Sequence, residues 1–377
     1  MRKSNIQSVS NVEGLCQIVW INGHVSDFHA LWLRDNCPCA ECLHPHTRER
    51  ILDIMDIDVA VELPATMNVA GDVLTITWHD EHESNYPLDW LRQNCYSETA
   101  RNERRPNPIL WGQEIINSLP EIEYADVMNS DEGLLNWLDK IVDYGFALIR
   151  NTPTVEGEVV RVAERVSYLR ETNFGRDFDV ISKVNPNNVA YTALTLQSHT
   201  DLPNWELPPG TQFLHCLEFE ADGGESTLVD GFKAARRLQK TSPSAYDFLK
   251  TQEIPFRFHD PDWDIRWSAP TINCDTDDNL REIRYHAALT APLDIPSDRI
   301  MPFYKAYREL TEVIRAPENI LKIKLAKGDL LVFNNRRALH GRMSFDPNSG
   351  PRHLQGCYVD NDAILSKRRI LQQKLGH

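Results

Sequence analysis

Eight short apolar runs between residues 189 and 359 constrain what this chain can fold into more than any other feature. They fall at 189–196, 212–217, 226–230, 254–259, 282–289, 321–325, 330–334 and 354–359. Turn formers separate them, among them Pro208-Pro209-Gly210, Gly223-Gly224 and Lys327-Gly328-Asp329. Apolar runs bounded in this way read as strands. Helix-like stretches at 232–239, 244–251 and 303–314 interrupt them. Many strands with mixed connections require sheets packed face to face. The expected fold is therefore mostly β, a jelly roll with helices outside.

The residues ahead of this block divide in two. Residues 1–96 predict a small α+β domain. Asn22-Gly23 lies between extended runs, a hairpin signal; 73–78 alternates as a strand does, and 88–95 reads as a short helix. Cys37, Cys39 and Cys42 put three thiols within six residues. Structural zinc takes four tetrahedral nitrogen or sulfur ligands, and His44, His46, His79 and His82 are candidates for the fourth. A segment with little core of its own gains most from such a clip. Residues 97–113 are polar and hold Arg101, Arg104, Arg105, Pro106 and Pro108, which predicts a linker. A larger domain then spans 114–377. It begins with a helix whose apolar face is Leu134, Leu135, Trp137, Leu138, Ile141 and Val142, capped by Ser130 and stopped by Gly145. A strand at 146–150, a helix at 155–169 and a last helix at 363–374 complete the reading. No internal repeat or low-complexity segment stands out.

Charge narrows the partners. Forty basic against 55 acidic residues give a net charge of −15, which argues against nucleic acid or an anionic membrane. The first residues hold no apolar core of signal-peptide length, so the cytoplasm is the expected compartment. There the eight cysteines are thiols or metal ligands rather than disulfides.

The chemistry centres on Ser198-His199-Thr200-Asp201. Side chains at i and i+2 of a strand share a face, so His199 and Asp201 can turn toward one ion. Two histidines and one carboxylate hold non-haem Fe(II) and leave positions open. The third ligand is expected at His340, in Ala338-Leu339-His340-Gly341-Arg342 after an apolar strand. Arg352, twelve residues on, offers a planar fork suited to a carboxylate.

These motifs together resemble the Fe(II)/2-oxoglutarate dioxygenases of the taurine-dioxygenase superfamily, within them the γ-butyrobetaine and trimethyllysine hydroxylase branch. The resemblance runs through Trp32-Leu33-Arg34-Asp35-Asn36-Cys37, His199-Thr200-Asp201, Pro208-Pro209-Gly210, Leu214-His215-Cys216, Gly223-Gly224, Val229-Asp230-Gly231-Phe232, Leu339-His340-Gly341-Arg342 and Arg352-His353-Leu354. It implies a double-stranded β-helix core and iron on His199, Asp201 and His340. Zinc is implied on Cys37, Cys39, Cys42 and His82, and 2-oxoglutarate on Arg352, with Ser226 and Leu214 beside it. Oxygen is the second co-substrate, and a homodimer is the usual assembly of the branch. The implied reaction converts 2-oxoglutarate and O2 to succinate and CO2 while a C–H bond becomes an alcohol.

The same resemblance implies a small zwitterionic substrate whose trimethylammonium group sits among aromatic rings, held by cation–π attraction. The matching positions are Phe174, Phe178, Tyr191 and Tyr358. Asn188, Arg176 and His286 fall where the substrate's anionic end would lie. His286 stands in Arg284-Tyr285-His286-Ala287-Ala288, where the γ-butyrobetaine enzymes are asparagine-rich. Extra donors at Arg176 and His286 favour 2-(trimethylammonio)ethylphosphonate, hydroxylated next to phosphorus, over γ-butyrobetaine. A non-catalytic binding protein on the same fold is the alternative from another class.

Overall fold

The computed structural model describes residues 6–64, 66–181 and 193–376. The chain divides between Pro106 and Asn107 into two compact units. The stretch expected as a linker is shared between them. Ala100 is fully buried in the first unit's core, and Trp111 is buried in the second's. Two apolar anchors among many polar residues are a weak signal in sequence but suffice to fix short segments.

The first unit contains β1 (Ile6–Val12), β2 (Leu15–Trp20), β3 (Val25–His29) and α1 (Ala30–Asp35), then β4 (Asn68–Ala70), β5 (Val73–Thr77), β6 (Glu83–Pro87), α2 (Leu88–Gln93) and α3 (Glu98–Glu103). Its sheets run β1-β2-β3 and β4-β5-β6, each followed by a short helix. The unit is therefore one three-strand-plus-helix motif used twice, contrary to the expectation of no repeat. Shared residues recur 58 positions apart, from Trp20 and Trp78 to Cys37 and Cys95, most densely where Trp32-Leu33-Arg34-Asp35-Asn36-Cys37 returns as Trp90-Leu91-Arg92-Gln93-Asn94-Cys95. The hydrogen bonds make the likeness plain. Trp20 Nε1 donates to Ser26 Oγ at 2.9 Å, and Trp78 Nε1 to Ser84 Oγ at 2.8 Å.

The second unit contains β7 (Glu121–Glu123), α4 (Tyr124–Asn129), α5 (Asp131–Tyr144), β8 (Phe146–Arg150), α6 (Glu158–Val166), β9 (Asp177–Val180), β10 (Leu196–His199), β11 (Thr211–Phe219) and β12 (Ser226–Asp230). There follow α7 (Gly231–Thr241), α8 (Pro243–Thr251), β13 (Glu253–His259), β14 (Asp264–Pro270), β15 (Ile272–Cys274), β16 (Leu280–Ile283) and α9 (Ser297–Arg315). The chain ends with β17 (Leu321–Ile323), β18 (Leu330–Asn334), β19 (Ala338–Arg342), β20 (Arg352–Val359) and α10 (Asn361–Leu375). A six-stranded sheet, β7-β8-β18-β11-β20-β9, packs with a four-stranded sheet, β10-β19-β12-β17. This is the expected jelly roll.

Several local expectations hold for stated reasons. Ser130 Oγ accepts from Gly133 N at 2.8 Å and opens α5, which Gly145 ends in the left-handed region. Two expectations fail: the strand expected at 189–196 lies outside the described residues up to 192 and within them begins only at Leu196, and 282–289 is not one strand, because β16 stops at Ile283 and a 3-10 turn occupies Ala287–Leu289. Arg284 causes the break, since its guanidinium is drawn to the carbonyls of Trp205 and Glu206. Arg337 and Asp230, both buried, pair at 3.1 Å and fasten the start of β19 to the end of β12.

Strand alternation sorts the six-stranded sheet into two faces. Phe213, Leu330, Val332, Cys357 and Val359 turn outward under α5, α6 and α10. His215 shares that parity on β11, is fully buried, and neither ring nitrogen meets a hydrogen-bond partner among the described residues. Burial pushes its pKa down to about 4, against a weak opposite pull from Glu158. The unfolded chain takes up this proton near pH 6.5 while the folded one refuses it. Stability is thus lost as pH falls from 6.5 toward 4, by up to about 3 kcal/mol. His215→Met should flatten the pH dependence of the urea midpoint in that window; an unchanged slope would show that His215 is not responsible.

Candidate active site and metal centres

The inward faces of both sheets meet at one cavity. From the six-stranded sheet, β20 contributes Arg352, Leu354 and Tyr358, all of one parity, and β11 contributes Gln212 and Leu214. The fourth residue of that parity on β20 is Gly356. A Cβ there would lie 2.7 Å from the Phe178 ring, so glycine is what lets β9 lay Phe178 into the cavity. From the four-stranded sheet come His199, His340, Arg342 and Ser226. Leu228 and His199 are both paired with His340, and Ser226 and Leu196 with Arg342, so these side chains stand in two adjacent rows.

His199, Asp201 and His340 bring one donor atom each to within 4.8 Å of one another. His199 Nε2 lies 3.2 Å from Asp201 Oδ1, and His340 Nε2 lies 3.7 Å from Asp201 Oδ2. The expectation that His199 and Asp201 share one face of a strand is corrected. β10 ends at His199, with a register shift against β19, and Asp201 lies in the bend beyond. Leu202 follows with φ of 54°. The ladder does not hold Asp201, so Asn335 does. Its side-chain oxygen accepts from Asp201 N at 2.7 Å, and its amide donates to Asp201 O at 3.0 Å.

The protonation states suit a metal. His199 Nδ1 faces the Gln197 carbonyl at 2.8 Å, which leaves the Nε2 lone pair toward the centre. Burial, reinforced by His199, pushes the His340 pKa down to about 3, so its imidazole is neutral. Burial alone would raise the Asp201 carboxyl. The histidines and the Tyr358 hydroxyl, which donates to Asp201 Oδ2 at 2.7 Å, instead hold it well below the usual range. Two neutral imidazoles and one carboxylate are the donor set for Fe(II).

Arg352 is buried with Phe219 and Phe345 about its guanidinium. Burial, then the neighbouring Arg342, lowers its pKa to about 10, so it keeps its charge at neutral pH. Two buried guanidiniums side by side make this end of the cavity an anion site. Sequence motifs alone do not single out Arg342, although β-strand parity two residues after His340 points to it.

The other end is aromatic. Phe174 meets Phe258 with ring centroids 5.6 Å apart, and Phe178 meets Tyr358 at 5.4 Å. Phe258 comes from the β13–β14 hairpin and was missed, because nothing local marks one of several alternating aromatics as a pocket wall. His286 also lines the cavity, its ring 4.5 Å from that of His199. Arg176 is placed elsewhere: it is exposed and pairs with Glu164 of α6. Gly175, with φ of 98°, breaks the alternation between Phe174 and Phe178 and turns Arg176 outward. Asn188 and Tyr191 lie outside the described residues.

The first unit carries a second ligand cluster, Cys37, Cys39, Cys42 and His82. His82 Nε2 lies 3.3, 3.6 and 3.7 Å from the three sulfurs. Tetrahedral zinc bonds of ordinary length place sulfur and nitrogen about 3.6 Å apart, so the set fits zinc. Burial pushes the Cys37 thiol up and the Cys42 thiol up to about 12, and clustered thiolates require a cation. His82 is brought in by the β5–β6 turn, and the other three histidine candidates are not in the cluster.

The model for the taurine catabolism dioxygenase TauD, TfdA family matches residues 103–358. The chain belongs to that family. The γ-butyrobetaine hydroxylase-like N-terminal model matches twice, at 8–71 and 65–132. The chain is 41% identical to the γ-butyrobetaine dioxygenase of Pseudomonas sp. (strain AK-1), over 98% of this chain and 97% of that one. It is 33% identical to the human γ-butyrobetaine dioxygenase, over 98% of each. With the bovine mitochondrial trimethyllysine dioxygenase it shares 34%, over 92% of this chain and 83% of the relative. Among solved structures, an alpha-ketoglutarate-dependent taurine dioxygenase homologue from Burkholderia xenovorans superposes with a TM-score of 0.51 at 15% identity, covering 67% of this chain and 91% of that one. This family member is an Fe(II)- and 2-oxoglutarate-dependent oxygenase acting on a small molecule. No helix among the described residues is long and apolar enough to cross a membrane.

Proposed function

We propose that the enzyme hydroxylates γ-butyrobetaine to carnitine. One observation carries the reading: full-length similarity at 41% to a γ-butyrobetaine dioxygenase, which includes the N-terminal unit. The pocket supports it. Phe174, Phe178, Phe258 and Tyr358 form an apolar, π-rich end suited to a quaternary ammonium. The phosphonate reading loses support, because two cationic residues of the segments that suggested it do not line the cavity. Arg176 faces Glu164, and Arg284 faces backbone carbonyls. His286 alone remains as an extra donor.

In this reading His199, Asp201 and His340 hold Fe(II), and Cys37, Cys39, Cys42 and His82 hold structural zinc. Arg352, with Ser226 beside it, holds the distal carboxylate of 2-oxoglutarate, and Leu214 lines the co-substrate. Iron with its co-substrates supplies the oxidising power for C–H hydroxylation. The chain supplies everything else: the guanidinium pair anchors the co-substrate, and the aromatic end excludes water and fixes which carbon faces the metal. A homodimer is the assembly we expect, read as a solution mass of two chains.

The deciding assay offers Fe(II), 2-oxoglutarate and O2 with γ-butyrobetaine, trimethyllysine or 2-(trimethylammonio)ethylphosphonate, and measures succinate and hydroxylated product. γ-Butyrobetaine should be turned over with the highest kcat/KM. Turnover of the phosphonate alone would overturn the assignment. Arg352→Met should raise KM for 2-oxoglutarate by at least about 30-fold, since a buried charge partner is lost. Arg352→Lys should fall between, because the ammonium cannot bond in a bidentate way. An unchanged KM in the methionine variant would remove Arg352 from the co-substrate site.

A further inference from the structure

The two halves of the first unit correspond bond for bond. Trp20 N donates to His24 O at 2.9 Å, and Trp78 N to His82 O at 2.8 Å. Gly23 and Glu81 both adopt positive φ in the intervening turn. Asn36 Nδ2 donates to Trp32 O at 2.8 Å, and Asn94 Nδ2 to Trp90 O at 2.8 Å. Cys37 N bonds Arg34 O, and Cys95 N bonds Arg92 O. Trp32 and Trp90 are equivalents, and their rings touch, 5.5 Å between centroids.

Equivalent residues meet each other only near a two-fold axis, and such an axis makes every other contact reciprocal. The metal ligands obey this. Cys37 of the first half approaches His82 of the second, Sγ to Nε2 at 3.3 Å. Cys95 of the second half approaches His24 of the first, Sγ to Nε2 at 3.4 Å. The correspondence extends through the cluster. Cys37, Cys39, Cys42 and His82 match Cys95, Ser97, Ala100 and His24, and the burial matches position by position. Leu43 N bonds Cys39 O as Arg101 N bonds Ser97 O, each at 2.9 Å, so the backbone that presents the ligands is the same.

We propose that His24 and Cys95 are half of a second tetrahedral zinc site, related by the pseudo-two-fold axis to the first and lacking two ligands because Ser97 and Ala100 stand where Cys39 and Cys42 stand. Ser97 Oγ is directed to Cys95 Sγ, 3.3 Å away, and to the Ala100 N–H, which it caps. A sulfur at position 97 would therefore start beside the Cys95 thiol. Ala100 is fully buried and sits where the fourth ligand must lie.

Two substitutions should complete the site. Native protein is expected to contain one zinc per chain, and Ser97→Cys with Ala100→Cys two. Produced with Co(II) in place of zinc, the double variant should give twice the native intensity of tetrahedral thiolate absorption. Ser97→Cys alone, the milder change, should take up a second Co(II) more weakly. Adding His24→Ala to it should abolish that uptake and so exclude binding by stray thiols. A Ser97→Cys variant that binds no more Co(II) than the native chain, or binds it equally without His24, overturns the proposal. The inference assumes that the first site holds zinc. Native protein without zinc would refute that assumption, whereas native protein with one zinc and no gain in the variants refutes the half-site.

Discussion

Asp201→Ala abolishes O2-dependent consumption of 2-oxoglutarate and leaves the fold intact. Asp201 is the only carboxylate of the donor triad, and the remaining ligands are the imidazoles of His199 and His340, the latter held neutral by burial. Losing an outer-sphere partner of a metal ligand typically costs about 10–100-fold in affinity, so losing the charged ligand itself must cost more. The fold should survive, because Asn335 grips the backbone of residue 201 and not its side chain. Binding-site residues of this kind are usually kept at some expense of stability. Iron content after anaerobic loading, 2-oxoglutarate consumption and the melting temperature check the three parts. Native-like turnover in this variant would remove the triad from the chemistry.

Cys37→Ser, or prolonged chelation, unravels the first unit. Between α1 and β4 the described residues form no strand or α-helix, only a 3-10 turn at Ile54–Asp56. Ile51, Ile54, Met55 and Val59 in this stretch are exposed, so burial does little to hold it. It is tied to the rest of the unit at its far end by Leu63, buried in the core, and otherwise by the ligand cluster, where the β5–β6 turn reaches it through His82. Structural zinc supplies up to about 10–16 kcal/mol in small domains, more than a small core can spare. Limited proteolysis should cut first between residues 38 and 67, and zinc should be released in step with cleavage. A zinc-free chain that resists protease as the native one does would refute the structural role.

Much of this could be read from residue types and spacing. The caps of α5, the jelly-roll strands and the order of His199, Asp201, His340 and Arg352 all follow from local chemistry. So does the zinc cluster, apart from its fourth ligand, where spacing alone left four histidines open. The duplication in the first unit was also present in the sequence. It shows most clearly where Trp32-Leu33-Arg34-Asp35-Asn36-Cys37 returns as Trp90-Leu91-Arg92-Gln93-Asn94-Cys95, with a long irregular stretch between the halves; the matching hydrogen bonds extend the likeness to the fold.

Tertiary structure decided what no local rule addresses. Asp201 leaves its strand and is held by Asn335, which lies 134 residues away. Arg176, a reasonable anion ligand by position, turns outward because one glycine with positive φ resets the alternation. Phe258 and Arg342 enter the cavity through a hairpin insert and a strand pairing. The sequence by itself determined which groups are available and in what order. Which of them converge was set by register, by the shift where β10 meets β19, and by the packing of one sheet on the other. Those are interactions between residues far apart in the chain, so no local pattern encodes them.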